Sequence, residues 1–121
     1  MKKYRFFRGL PSFYKILEDI LKKFNITEED LRKEVVELTI NPYKAPPIGN
    51  YPRFRKLRIK IPGFRGKRGG LRFIYYIDEP EKAIIPIYIY FKGEKEDLTI
   101  VDLKKLESEL AAILKQKKPR K

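Results

Sequence analysis

Lys56, Arg58 and Lys60 occupy every second position of a stretch in which Leu57, Ile59 and Ile61 fill the positions between. On a β-strand that alternation puts three cations on one face and three aliphatic side chains on the other. Arg65, Lys67 and Arg68 follow among Gly63, Gly66, Gly69 and Gly70, the composition of a turn that needs positive φ and carries exposed charge. Arg72 then opens a second strand-like run with Phe73, Ile74, Tyr75, Tyr76 and Ile77. No Asp or Glu occurs between Leu38 and Ile77, so this basic hairpin has no acid of its own and is suited to a large anion. His and Cys are absent, which removes imidazole bases, thiolate nucleophiles, disulfides and cysteine zinc sites. Proton transfer in such a protein must pass through Lys, Arg, Tyr or carboxylates.

A third strand-like run over residues 83–92 puts Ile85, Ile87, Ile89 and Phe91 on one face and Tyr88, Tyr90 and Lys92 on the other. If the three runs lie side by side, Lys56, Arg58, Lys60, Arg72, Tyr88, Tyr90 and Lys92 line one surface. Cations for phosphates with flat rings between them for unpaired bases are the general format of single-stranded RNA binding. The plainer reading is that strand tyrosines pack half-buried and charged combs are merely solvated.

The elements around these runs follow from local signals. A short aromatic strand is expected over residues 3–7, stopped by Gly9. Pro11 opens a helix whose buried face is Phe13, Ile16, Leu17, Ile20, Leu21 and Phe24, ended by Asn25. Thr27 and Asp30 form a capping box for a second helix, with Ile26 and Leu31 as a hydrophobic staple. That helix turns Leu31, Val35 and Leu38 inward and must stop before Pro42. Residues 41–52 hold four prolines and read as a stiff connector. Pro86 predicts an edge position or a bulge in the last strand. Thr99 and Asp102 cap a final helix with Leu103, Leu106, Leu110, Ile113 and Leu114 buried, and residues 115–121 form a basic, frayed tail. The expected fold is a single α+β domain over residues 1–121, with an antiparallel-rich sheet, two N-terminal helices and a C-terminal helix, the helices packed on one face.

The 121 residues suffice for one core. Lys and Arg number 29 against 16 acids, a net charge of +13 with pI near 9.9, which points to nucleic acid or an acidic protein. No apolar run approaches the roughly 20 residues of a membrane span, and residues 1–10 carry no signal-peptide core. A cytoplasmic location without membrane association is expected.

Three motifs and one dipeptide carry a family resemblance. They are Arg55, Lys56 and Arg58 on the first strand; Gly66, Lys67, Arg68, Gly69 and Gly70 in the loop, with Arg72, Ile74, Tyr75 and Tyr76 after it; Ile89, Tyr90, Lys92 and residues 94–99 at the end of the sheet; and Asn41–Pro42 after the second helix. Together they span nearly the whole chain, which resembles the RelE/HigB toxins of type II toxin-antitoxin systems, in the RelE/ParE superfamily. The resemblance implies a RelE-like fold and an endoribonuclease that cuts messenger RNA in the ribosomal A site without metal or cofactor. It also implies a cognate antitoxin as partner. By position, Lys56 and Arg58 match the family's strand cations and Arg72 its phosphate-stabilising arginine, while Lys92 or Lys95 would protonate the leaving oxygen. Arg55, Lys60, Arg65, Lys67, Arg68, Tyr88 and Tyr90 complete the expected RNA-binding surface. Some relatives have an arginine near Gly93 and a stacking aromatic near Thr99. This chain has neither, and Tyr88 or Tyr90 would take over the stacking. The same fold also serves gyrase-inhibiting ParE-like toxins, and charge and fold class alone suit a non-catalytic ribosome- or RNA-binding protein.

Overall fold

The computed structural model of the chain describes residues 3–49, 51–60, 70–92 and 98–117. In chain order the elements are β1 (Arg5–Phe6), α1 (Pro11–Lys23), α2 (Glu28–Val35), a 3-10 turn (Val36–Thr39), β2 (Pro47–Ile48), β3 (Tyr51–Ile59), β4 (Leu71–Asp78), β5 (Ala83–Phe91) and α3 (Ile100–Lys117). The strands form one sheet in the order β1-β5-β4-β3-β2. β1 is parallel to β5, and every other pairing is antiparallel. The chain is therefore α+β, as the sequence predicts. Among the described residues no helix is long and apolar enough to cross a membrane.

The local signals act as expected where they are local. Pro11 begins α1, where its missing N–H is one of the orphan donors of a first turn. Asn25 closes the helix at φ 51. Its N–H donates to the Lys22 carbonyl at 3.3 Å, and the next N–H, of Ile26, donates to Leu21 at 3.1 Å, which is a Schellman closure. Thr27 and Asp30 exchange reciprocal side-chain bonds at 3.1 and 3.0 Å ahead of α2, and Thr99 and Asp102 do the same ahead of α3. The last turn before Pro42 tightens into the 3-10 segment, which buries Leu38 completely.

Three differences come from tertiary pairing. The connector is not wholly irregular: Pro47–Ile48 pairs with β3, which starts at Tyr51, inside the stretch expected to be connector. Pro86 sits in an interior strand, between β1 and β4, so of the two settings expected for it the edge is excluded and the bulge is present. Ile74 pairs with Tyr88 but Tyr75 pairs with Pro86, so Ile87 is the extra residue. The bulge shifts the alternation. Ile85 pairs with Tyr76, which pairs with Phe54, so Ile85 shares a face with Tyr88 and Tyr90 instead of opposing them.

The third difference concerns the helices, which cover both faces. Phe13 and Phe24, on and just after α1, meet Phe73 and Phe91 at ring-centroid distances of 6.0 and 4.6 Å. Phe73 pairs with Leu57, so α1 lies on the Leu57 face. The next residue, Lys56, must point the other way, and it borders Leu103 of α3 in a shared hollow. α3 therefore covers the opposite face, tied there by Glu107, which accepts from Tyr51 Oη at 2.8 Å and Arg53 Nη1 at 2.6 Å. With both faces covered, most of β4 and β5 is buried, and the near-continuous apolar runs of these strands suit such a position.

The connector is pinned across the α1 face. Tyr75 Oη donates to the Pro42 carbonyl at 2.5 Å, and burial pushes this hydroxyl up to about 12. Arg55, paired with Tyr75 on the same face, donates to the Ala45 carbonyl at 2.5 Å and lies 4.9 Å from the Tyr43 ring centre. Tyr43 Oη donates in turn to Glu79, which also accepts from Tyr4 Oη at 2.8 Å and Lys82 Nζ at 3.0 Å. These bonds, from Tyr43 first, hold the Glu79 carboxyl down to about 2 from its ordinary 4.5. A carboxylate depressed in the folded state stabilises fully above the unfolded value and loses that contribution as pH falls through the folded one. The difference in melting temperature between the parent and Glu79→Gln should therefore be largest near neutrality and shrink between pH 4.5 and about 2.

Gly9 lets the chain turn from β1 into α1 against Pro86. A Cβ there would lie 2.7 Å from the Pro86 carbonyl oxygen and 2.8 Å from its Cβ, while Leu10 N–H donates to that same carbonyl at 3.1 Å. The obstacle includes backbone and a rigid ring, so Gly9→Ala should destabilise the protein by about 1–3 kcal/mol, the usual range for overpacking, measured by denaturant unfolding.

Candidate RNA-binding face

The face of the sheet opposite α1 is organised in rows. Arg58 pairs with Arg72, and Arg72 with Tyr90; one step along, Lys56 pairs with Ile74, and Ile74 with Tyr88. Paired residues on neighbouring strands share a face, and the strands lie about 4.8 Å apart. The structure thus brings Lys56, Arg58, Arg72, Tyr88 and Tyr90 together on one side. Lys60 lies just beyond the end of β3 and Lys92 just beyond β5, where its N–H donates to the Gly70 carbonyl at 3.1 Å.

Exposure divides the set. Arg58 and Lys60 are exposed, while Lys56, Tyr88 and Lys92 are half-buried. Arg72 is only 7% exposed and Tyr90 only 4%, so neither is the open surface residue that strand alternation alone implies. The Tyr88 and Tyr90 rings sit 6.0 Å apart at 43°. Two arginines directly opposite one another on adjacent strands repel and would ordinarily weaken a sheet. That arrangement breaks a local rule where a functional site is the expected reason.

One expected member belongs elsewhere. Arg55 is on the α1 face, holding the connector through Ala45. Arg53, in sequence remote from any acid, is paired with Glu107 of α3. Arg65, Lys67, Arg68 and Lys95 lie outside the described residues.

Beside Lys56 is a hollow of about 430 Å³, bordered also by Ile48, Gly49, Leu98, Ile100 and Leu103. The sequence marks these connector and helix-start residues only as a stiff segment and a cap. The one available signal is Gly49, a glycine whose φ lies outside the left-handed region and whose added Cβ would meet nothing within 4 Å.

No protein-family model matches the chain. Among solved structures, it is similar to the E. coli toxin RelE in an arginine double-mutant form in the free state. The TM-score is 0.47 with 19% identity, over 79% of this chain and 90% of that chain.

Proposed function

We propose that the protein is an RNA-cleaving toxin of the RelE type, a messenger-RNA endoribonuclease held in check by a cognate antitoxin. The observation that carries this reading is the pair of cross-strand rows, Arg58–Arg72–Tyr90 beside Lys56–Ile74–Tyr88. The sequence resemblance supports it independently. Lys56 takes the proton of a ribose 2′-OH, and the oxygen attacks the adjacent phosphate. Arg58 and Arg72 stay protonated and clamp the charge that builds on the phosphoryl oxygens. Lys92 or Lys95 protonates the departing 5′ oxygen, leaving a 2′,3′-cyclic phosphate and a 5′-OH. Exposed Arg58 and Lys60 hold the strand by its phosphates and Tyr88 offers a ring to a base. On this reading the substrate is messenger RNA in the ribosomal A site.

The test is to incubate the purified protein with messenger RNA, with and without ribosomes, and to map the ends. Cyclic-phosphate and 5′-OH ends support the reading. Binding without cleavage, with a log-log salt slope that drops by roughly 0.7 for each phosphate contact removed, would make the protein a non-catalytic RNA binder. Intact RNA and a flat salt dependence would remove both.

A further inference from the structure

We infer that Gly70 is a positioning residue for the Arg72 charge clamp: its missing side chain lets the guanidinium lie over the end of the sheet where Lys92 is tied down. This role rests on the ribonuclease reading and says which end of the two rows holds the phosphate that is cut. The last rung shared by the three long strands is Ile59–Leu71–Phe91, and Gly70 is the next residue beyond it. Three neighbours meet there. A Cβ on Gly70 would lie 2.9 Å from the Ile59 carbonyl oxygen at the end of β3 and 3.4 Å from Arg72 Nη1. The Gly70 carbonyl accepts the Lys92 N–H, just past β5, at 3.1 Å. The same Arg72 Nη1 also reaches back to the Leu71 carbonyl, at 3.4 Å. The guanidinium is therefore folded along its own strand toward Gly70 rather than held straight out from the sheet.

Only glycine meets these conditions. The residue sits at φ 118, in the half of backbone space that residues with a Cβ rarely adopt. The closest obstacle is a backbone oxygen of β3 and cannot swing aside as a side chain would. Any shift that relieves it moves the end of β3, where Arg58 and Lys60 flank Ile59, or presses the new Cβ onto the guanidinium. Because Arg72 is only 7% exposed, its charge has little room to settle elsewhere. A charge clamp acts when it is already held where charge develops, so a displaced guanidinium loses its effect while the fold survives. Through its carbonyl, the same bare position also holds the backbone of Lys92, one of the two candidates for protonating the leaving oxygen. A plain turn glycine would only close the chain between β3 and β4.

The experiment is a double-mutant cycle of Gly70→Ala and Arg72→Ala, read by cleavage of messenger RNA, RNA affinity and melting, with rates taken well below the lowest midpoint. Gly70→Ala should lower kcat by about 10²-fold, the cost of misplacing a catalytic group by about 1 Å, and leave KM nearly unchanged. In the Arg72→Ala background it should cost almost nothing further, because the group it positions is gone. Equal factors in both backgrounds, the mark of a glycine that only shapes the turn, overturn the positioning role. A second arm needs no Gly70 variant to fold. Arg72→Lys keeps the charge and most of the packing but lacks Nη1, and it should shift the backbone amide resonances of Gly70 and Lys92 more than those of the rung partners Arg58 and Tyr90. Shifts as large or larger at Arg58 and Tyr90 overturn the role as well. A parent that leaves RNA intact overturns the ribonuclease reading instead. The cycle is then read on RNA affinity, where a loss confined to the background that retains Arg72 supports the positioning role and equal effects overturn it. A parent that cleaves RNA while the factors stay equal overturns the role of Gly70 and leaves the ribonuclease reading standing.

Discussion

Lys56→Ala should lower the rate of RNA cleavage by about 10²–10⁴-fold, the usual effect of losing a positioned general base, while leaving the fold intact. The side chain is half-buried on β3, outside the fully buried core. Lys56→Arg should fail to restore activity, because a guanidinium keeps its charge and cannot accept the proton of a 2′-OH. Arg58→Ala is the cleaner partner experiment. Arg58 is exposed, so truncation should change stability by about 0.5 kcal/mol or less, against a loss of about 10²–10³-fold in rate for one charge-stabilising group. Arg72 does not permit the same separation. At 7% exposed, its truncation removes packing as well as charge, and an Arg72→Ala variant should melt measurably lower than Arg58→Ala. The variants are assayed side by side for cleavage, melting and RNA binding. Parental cleavage rates in folded Lys56→Ala and Arg58→Ala proteins would place the chemistry elsewhere.

Phe54→Ala should destabilise the protein by about 3–5 kcal/mol, a large share of the roughly 5–15 kcal/mol available to a domain. Phe54 is fully buried on the face that α3 covers, and its ring centre lies 5.8 Å from that of Tyr51, whose hydroxyl binds Glu107 of the helix. The helix and the sheet therefore lose a shared apolar contact at the point where their polar clasp sits. Val101→Ala, on the same helix but 75% exposed, should stay within about 0.5 kcal/mol of the parent. Urea unfolding of the two variants gives the comparison. Similar midpoints would mean that α3 contributes little to holding the sheet.

What could be read from the sequence divides by range of interaction. Thr27 with Asp30, Thr99 with Asp102, and Asn25 at the end of α1 act within one turn, so residue type and spacing suffice. The side-by-side order of β3, β4 and β5 follows from short connections between alternating runs. Arg55 was also legible, since it has the parity of Leu57 and Ile59, which puts it on the α1 face and away from Lys56. Other features depend on partners distant in sequence. Glu107 reaches Arg53 across 54 positions, and no local pattern shows that pairing. The parallel join of β1 to β5 and the bulge at Ile87 are set by how Pro86 is fitted between two neighbours. Alternation assigns Arg72 to a face but does not say how deeply it lies, because depth depends on what packs above the strand.

The pinned connector has a consequence for proteolysis. A segment with four prolines, an exposed lysine at Lys44 and almost no regular structure would ordinarily be the place where a protease cuts first. Here Pro42, Tyr43 and Ala45 are each fastened, to Tyr75, Glu79 and Arg55 in turn. Two of those anchors, Tyr75 and Arg55, are rungs of the central sheet. Trypsin can reach the Lys44 bond in an extended form only after those fastenings release. Nicking at Lys44 therefore follows opening of the sheet itself rather than a local fluctuation of the loop, and its rate reports the stability of the whole domain.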